Sequence, residues 1–266
     1  MERLQKYYLS LIFFAVYSQI SAQVNCSIYT DENCRKACEI SNQAGSAPQG
    51  YALSQMAFDT AIEICPNYDD AYTEKSVPYL KRGDFITWKK LIDKAVEINP
   101  KDHLDYRGWC KFQFLRDYKG AIQDFDLLEK YRPENIGYSK NGDYHLYVAK
   151  ALCHSALGQK DKAIHILENL YKTKDYHFGL YDYYQLGVTY FETGKYDKAL
   201  ENFEKQSKVY DFAENIYFRS KVSKIRNKDY LDLKSLAIKT YDDGKTMKDG
   251  YTHHFNKVYR KQIAEL

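Results

Sequence analysis

An all-α fold, a solenoid of about six helical hairpins followed by a C-terminal capping helix, is what the sequence predicts. Turn-forming residues are scarce, with 13 glycines and 5 prolines in 266 residues, while tyrosine occurs 27 times. Long helices packed through aromatic faces fit that composition. A multi-stranded sandwich, which needs closely spaced turn signals, does not. The remaining glycines and prolines recur at matching points: Gly83, Gly158 and Gly194 in turns, Pro66, Pro100 and Pro133 at segment ends.

Residues 1–22 read as a secretory signal peptide. Arg3 and Lys6 precede the apolar run Leu9 to Tyr17, and small residues lead to cleavage after Ala22. The run falls short of the roughly 20 apolar residues that cross a bilayer. The mature chain is therefore expected to be exported, periplasmic or extracellular, with no stable membrane span.

Residues 23–34 form an N-terminal segment. Cys26, Cys34, Cys38 and Cys65 crowd around it, whereas Cys110 and Cys153 fall within apolar helical patterns where a thiol acts as a small core residue. In an oxidising compartment the even count permits disulfides, and the spacing leaves the pairing open. A zinc site at Cys26, Cys34 and Cys38 is the sharper alternative, weakened by the lack of a close cysteine pair or a nearby histidine.

The hairpins occupy residues 35–247. Tyr183, Leu186, Gly187 and Tyr190 make an apolar stripe at helical spacing; Gly194 turns the chain; Ala199 and Phe203 supply a small and a large residue on the returning helix. Gly158, Ala163 and Leu167 repeat the pattern, as do Asp117, Ala121 and Phe125, and Gly83, Trp88 and Ile92. Ser54 to Trp88 is 34 residues, Trp88 to Ala121 33, Ala121 to Ala163 42, Ala163 to Ala199 36 and Ala199 to Leu233 34. The chain thereby resembles the tetratricopeptide repeat (TPR) family, whose period is about 34. The resemblance implies a right-handed α-solenoid with repeats beginning near Arg35, Asp69, Asp102, Tyr144, Leu180 and Glu214. The extra length before Tyr144, with Asn141-Gly142, reads as a surface insertion. Trp88 and Leu233 stand where the family has a small residue, so looser packing is expected there. Residues 248–266 place Tyr251, Phe255, Val258 and Ile263 roughly on one face, which predicts a helix capping the last repeat.

The resemblance also implies a binding surface. In the family the first helix of each repeat lines the concave face and meets ligands at recurrent positions. Here these are His103, Tyr106, Cys110, Gln113 and Phe114 in repeat three, Tyr181, Tyr184, Val188, Phe191 and Glu192 in repeat five, and Asn215, Phe218, Val222, Ile225 and Arg226 in repeat six. Members that hold a peptide's terminal carboxylate use basic and amide side chains at such positions; this chain offers mostly rings and apolar groups. The expected partner contacts are Tyr106, Phe114, Tyr181, Tyr184, Phe191 and Phe218.

Chemistry of other kinds leaves no motif. No Gly-rich phosphate loop, His-Glu-x-x-His or Gly-x-Ser-x-Gly appears. His253-His254 would diverge on a helix, and Asp69-Asp70 and Asp242-Asp243 sit where helix capping is the ordinary role. The net charge of +3, from 39 basic and 36 acidic residues, lacks a concentrated basic footprint, so no nucleic-acid partner is expected. The predicted function is an exported scaffold or adaptor that binds a protein or peptide through an aromatic concave groove, with no catalysis, cofactor or metal. The alternative is an enzyme or glycan-binding protein acting on surface polymers, its site built between distant repeats.

Overall fold

Two antiparallel helices joined by a tight turn are the unit of the computed structural model, which describes residues 24–266; the expected signal segment at 1–22 lies outside them. Six hairpins follow one another: α1 (Glu32–Ala44) with α2 (Ala52–Ile64), α3 (Asp69–Arg82) with α4 (Phe85–Ile98), and α5 (Pro100–Cys110) with α6 (Tyr118–Tyr131). Then come α7 (Leu146–Ala156) with α8 (Lys160–Tyr171), α9 (Asp182–Glu192) with α10 (Tyr196–Val209), and α11 (Ala213–Ile225) with α12 (Leu231–Asp242). The second helix of each hairpin packs on the first helix of the next, which makes the array a solenoid.

Local chemistry explains the turns. Gly83, Gly158 and Gly194 sit at φ 82, 77 and 72°, the left-handed conformation that ends a helix and sends the chain back. Arg116 (φ 55°) and Asn227 (φ 53°) take the same place in the third and sixth hairpins. Asp84 and Asp117 then cap the returning helices, their Oδ1 atoms accepting from the N–H of Thr87 at 3.0 Å and Gly120 at 2.9 Å.

Close approach within hairpins depends on absent side chains. A Cβ on Gly108 would stand 2.7 Å from Phe125 of α6, and one on Gly187 would stand 2.6 Å from Phe203 of α10. Ala121, Ala163 and Ala199 are fully buried at the matching positions. Where the small residue is missing, Trp88 is buried with its indole N–H unpartnered, and Leu233 is only half-buried.

The N-terminal hairpin is stapled by two disulfides, Cys26–Cys38 and Cys34–Cys65, with Cα separations of 5.5 and 5.0 Å. That resolves the open pairing and removes the zinc alternative, since the three sulfurs are committed to S–S bonds. Cys110 and Cys153 are unpaired and buried, and burial pushes both thiols far above the ordinary range, so neither is a thiolate.

Two segments depart from the hairpin pattern. Residues 132–145 form the expected insertion, turned at Gly142 and held by one isolated antiparallel bridge between Tyr138 and His145. The C-terminal segment shortens the expected capping helix: α13 (Arg260–Ala264) packs on α12 with Ile263 buried, while residues 248–259 run without regular structure. Asp249 supplies a physical reason, because its Oδ1 accepts from the N–H groups of Tyr251 (2.8 Å) and Thr252 (2.7 Å), a local turn that competes with helix. No helix among the described residues is long and apolar enough to cross a membrane.

Candidate functional site

The concave face is built from the first helices of the hairpins, and its two halves are closed differently. Over the end of the third hairpin and the three hairpins after it lie the chain's own residues 251–258. Tyr184 donates its hydroxyl to the carbonyl of Asn256 at 2.6 Å, Gln185 donates Nε2 to the carbonyl of Phe255 at 3.1 Å, and Asn256 donates Nδ2 back to Gln185 Oε1 at 2.7 Å. Phe255 sits near Phe112 and Tyr118, with ring centroids 6.2 and 6.1 Å away. Thr252 donates to the Gln113 carbonyl at 3.2 Å, and Arg116, the non-glycine residue in a left-handed turn, donates to the His253 carbonyl. Lys257 pairs with Glu214 at 2.5 Å; Glu214 is 0 % exposed, and burial pushes its carboxyl upward although the ammonium pulls it back.

That strap decides the fate of the expected contact residues. Tyr184 is 0 % exposed and Tyr181 is 7 % exposed. Tyr181 meets Phe212 and His254 edge-on at 5.2 Å, and Tyr184 meets Phe212 and Phe218. Both were expected to face a partner; in this structure Tyr184 bonds to Asn256 and Tyr181 packs on His254 of the chain's own non-helical C-terminal segment. Phe191 and Phe218 are half-buried, pack at 5.2 Å and lie under the Lys221 ammonium at 5.0 and 5.6 Å. Tyr106 and Phe114 are half-buried and line an open cavity instead.

The open half belongs to the first three hairpins. Its main cavity encloses about 600 Å³ and continues into a second of about 380 Å³, the two sharing Gln49, Asp70 and Glu74. From α3 come Asp70, Thr73, Glu74, Val77 and Lys81, a spacing that puts them on one helical stripe. From α5 come Asp102, His103, Tyr106 and Trp109; the insertion adds Lys140 and Asn141, and the C-terminal segment adds Asp249 and Tyr251. The wall is thus mixed, with rings beside four carboxylates and two lysines.

Electrostatics separate those carboxylates. Asp69, just behind the wall, is held below its ordinary range: burial opposes its charge, but hydrogen bonds from His103 and Asn99 outweigh it. His103 Nε2 stands 2.8 Å from Asp69 Oδ2, and its Nδ1 stands 2.9 Å from Thr73 Oγ1. Asp70 is pushed up by burial and by the charge of Asp69. Glu74 is exposed at the cavity wall, yet protein packed around its carboxyl and the charge of Asp70 push it up. Neither carboxylate has an ion-pair partner among the described residues, whereas Lys81 is bound to Gln49 Oε1 at 2.7 Å and lies 4.8 Å over the Tyr251 ring. Sequence reasoning missed Asp70, Glu74 and Tyr251; the polar stripe on α3 was the available signal for the first two.

Comparisons with known proteins place this architecture. The tetratricopeptide repeat model matches residues 144–175 and 183–210, the fourth and fifth hairpins. PilW, a widely conserved type IV pilus biogenesis factor, superposes with a TM-score of 0.61 at 15% identity, over 78% of this chain and 94% of its own. A tetratricopeptide repeat protein from Parabacteroides merdae gives 0.56 at 16% identity, over 88% and 82%. PilF of Pseudomonas aeruginosa gives 0.57 at 12% identity, over 79% and 89%. No curated protein sequence matches the chain. Identities this low carry the fold alone, and on fold, period and matched repeats together the chain is an all-helical solenoid of tetratricopeptide type.

Proposed function

We propose that the protein is an exported scaffold that binds an extended peptide segment of a partner in the open, N-terminal half of its concave face. Tyr106 and Phe114 supply the aromatic contacts, and Asp70 and Glu74 receive a basic side chain. One observation supports this above the others: the third to sixth hairpins already carry an extended segment of the chain itself on the same kind of surface. There Phe255 packs against Phe112 and Tyr118 of the third hairpin, and Lys257 meets Glu214 on the first helix of the sixth. The open cavity offers rings and carboxylates of the same kinds, with Asp249 and Tyr251 of the C-terminal segment in its wall. Two disulfides near the N-terminus support export, since such bonds persist in oxidising compartments. Of the expected contact set, Tyr181 and Tyr184 serve the strap, and Phe191 and Phe218 lie outside this cavity.

A displayed peptide library tests the proposal. Bound sequences should be enriched in Lys or Arg close to an aromatic residue, and Tyr106→Ala with Glu74→Gln should abolish the enrichment. Enrichment that survives both changes sinks the groove assignment.

A second reading is favoured by one feature, the two raised carboxyls Asp70 and Glu74 one turn apart on α3, beside Tyr106, Trp109 and Tyr251. Rings suit sugar stacking, and a carboxyl whose proton is held more tightly than usual is suited to general-acid work on a surface polymer. Product release from soluble glycans that is lost in Glu74→Gln supports this enzyme; a silent glycan array with no turnover removes it.

A further inference from the structure

Where the insertion meets the C-terminal segment, three electron-pair donors converge. One carboxylate oxygen from Asp143, one from Asp249 and a ring nitrogen of His254 all lie within 4.8 Å of one another. His254 is only 4 % exposed. Its Nε2 is 2.9 Å from the carbonyl of Lys248, which assigns the ring proton to that nitrogen and leaves Nδ1 as a bare lone pair. Nδ1 has no hydrogen-bond partner. The carboxylates are not self-sufficient either. Asp143 Oδ2 accepts from Asn141 Nδ2 at 2.6 Å, and Asp249 uses Oδ1 in its turn, so each keeps one oxygen for another partner. Three acceptors face one another, and a single cation between them would satisfy all three.

We propose that Asp143, Asp249 and His254 bind one divalent transition-metal cation, zinc-like in preference, which ties the insertion to the C-terminal strap. Two carboxylates and an imidazole form a mixed oxygen and nitrogen donor set that suits zinc and its neighbours, with a remaining position for water. Calcium takes six to eight oxygens and has no use for the imidazole. The site is independent of the peptide proposal, although Asp249 and Asn141 also line the open cavity.

Calorimetric titration of the full chain, disulfides intact, with zinc chloride tests it. One saturable site is expected, weakened at least about tenfold by Asp143→Asn and by Asp249→Asn, and lost in the double variant. Without zinc the double variant should melt no lower than the parent, because two neighbouring like charges are removed. Hydrogen exchange in residues 248–256 should slow on adding zinc to the parent and not to the double variant. Full-strength zinc binding by the double variant, the absence of saturable binding by the parent, or calcium binding as tight as zinc each overturns the proposal.

Discussion

The first three hairpins and the last three are built from the same unit, yet they differ in what closes them. The N-terminal half has two disulfides at its tip and an open cavity on its concave face, with the C-terminal segment hydrogen-bonded to its third hairpin; the C-terminal half has no disulfide and a concave face covered by residues 251–258. The repeat positions are equivalent, since Tyr106 and Tyr184 occupy the same place in repeats three and five. One is half-buried beside a cavity and the other is fully buried. Position on the repeat therefore sets which face a side chain serves, but the path of the C-terminal segment sets whether that face is free. Stability in the two halves should likewise have different sources, a covalent staple in one and a docked strap in the other.

The largest effect should come from a device the halves share. Gly108 and Gly187 each let a phenylalanine ring of the partner helix approach, so Gly108→Val and Gly187→Val both force the hairpin open. Overpacking on this scale, with a branched residue in a helix, should remove about 3 kcal/mol or more in each case. Urea unfolding measures it. If one variant falls well below about 1 kcal/mol, the equivalence of the two halves breaks at the level of packing.

Next comes the staple. Cys34→Ser with Cys65→Ser opens a bridge spanning 31 residues and should remove about 3 kcal/mol from the N-terminal hairpin. Because each hairpin touches only its neighbours, faster hydrogen exchange should be confined to residues 24–66 and fade beyond α3. Equal acceleration in α9 and α11 would show that the halves unfold as one unit. The strap offers the mirror experiment. Phe255→Ala should remove about 2.5 kcal/mol, the full burial value being discounted because the ring is half-buried. Exchange should then rise around Tyr184 and Gln185 and leave the disulfide-linked hairpin unchanged.

The sequence carried the array well and the site only in part, for physical reasons visible in single residues. Helical hairpins leave periodic marks: Gly187 recurs because Phe203 needs its missing side chain, and Gly83, Gly158 and Gly194 recur because the turn needs positive φ. The same register put Tyr106, Phe114, Tyr181 and Tyr184 on the concave side. It could not show that Tyr184 lies beneath Asn256, a contact 72 residues away in sequence with no period behind it. The strap was misread as a helix because Tyr251, Phe255 and Val258 do fall at helical spacing, while the Asp249 turn that breaks the helix is a matter of one oxygen. Arg116 was invisible as a turn residue for a similar reason. Its side chain fastens the His253 carbonyl, a use glycine could not serve.

The smallest expected effect lies at the seam between the halves, where His145 begins α7. Its Nε2 is 2.9 Å from Asn135 Oδ1, and its Nδ1 accepts the N–H of Tyr147 at 3.2 Å, so the neutral ring is satisfied on both sides. A proton on Nδ1 would point at that N–H and break the cap. Burial accordingly pushes the ring from an ordinary 6.5 down to about 4. A histidine whose folded value is depressed binds protons more readily when unfolded, so its contribution is complete above the unfolded value and is lost as pH falls toward the folded one. Between about pH 7 and about pH 5 the loss should be about 1.5 to 2 kcal/mol. His145→Asn keeps a capping side chain that does not titrate, so it should fold and lose less stability over that interval by the same amount. Equal slopes for the two proteins in urea unfolding against pH would place the acid sensitivity elsewhere. A difference would identify the seam as the point where falling pH first loosens the strapped half, leaving the disulfide-linked hairpin, with its covalent staple, in place.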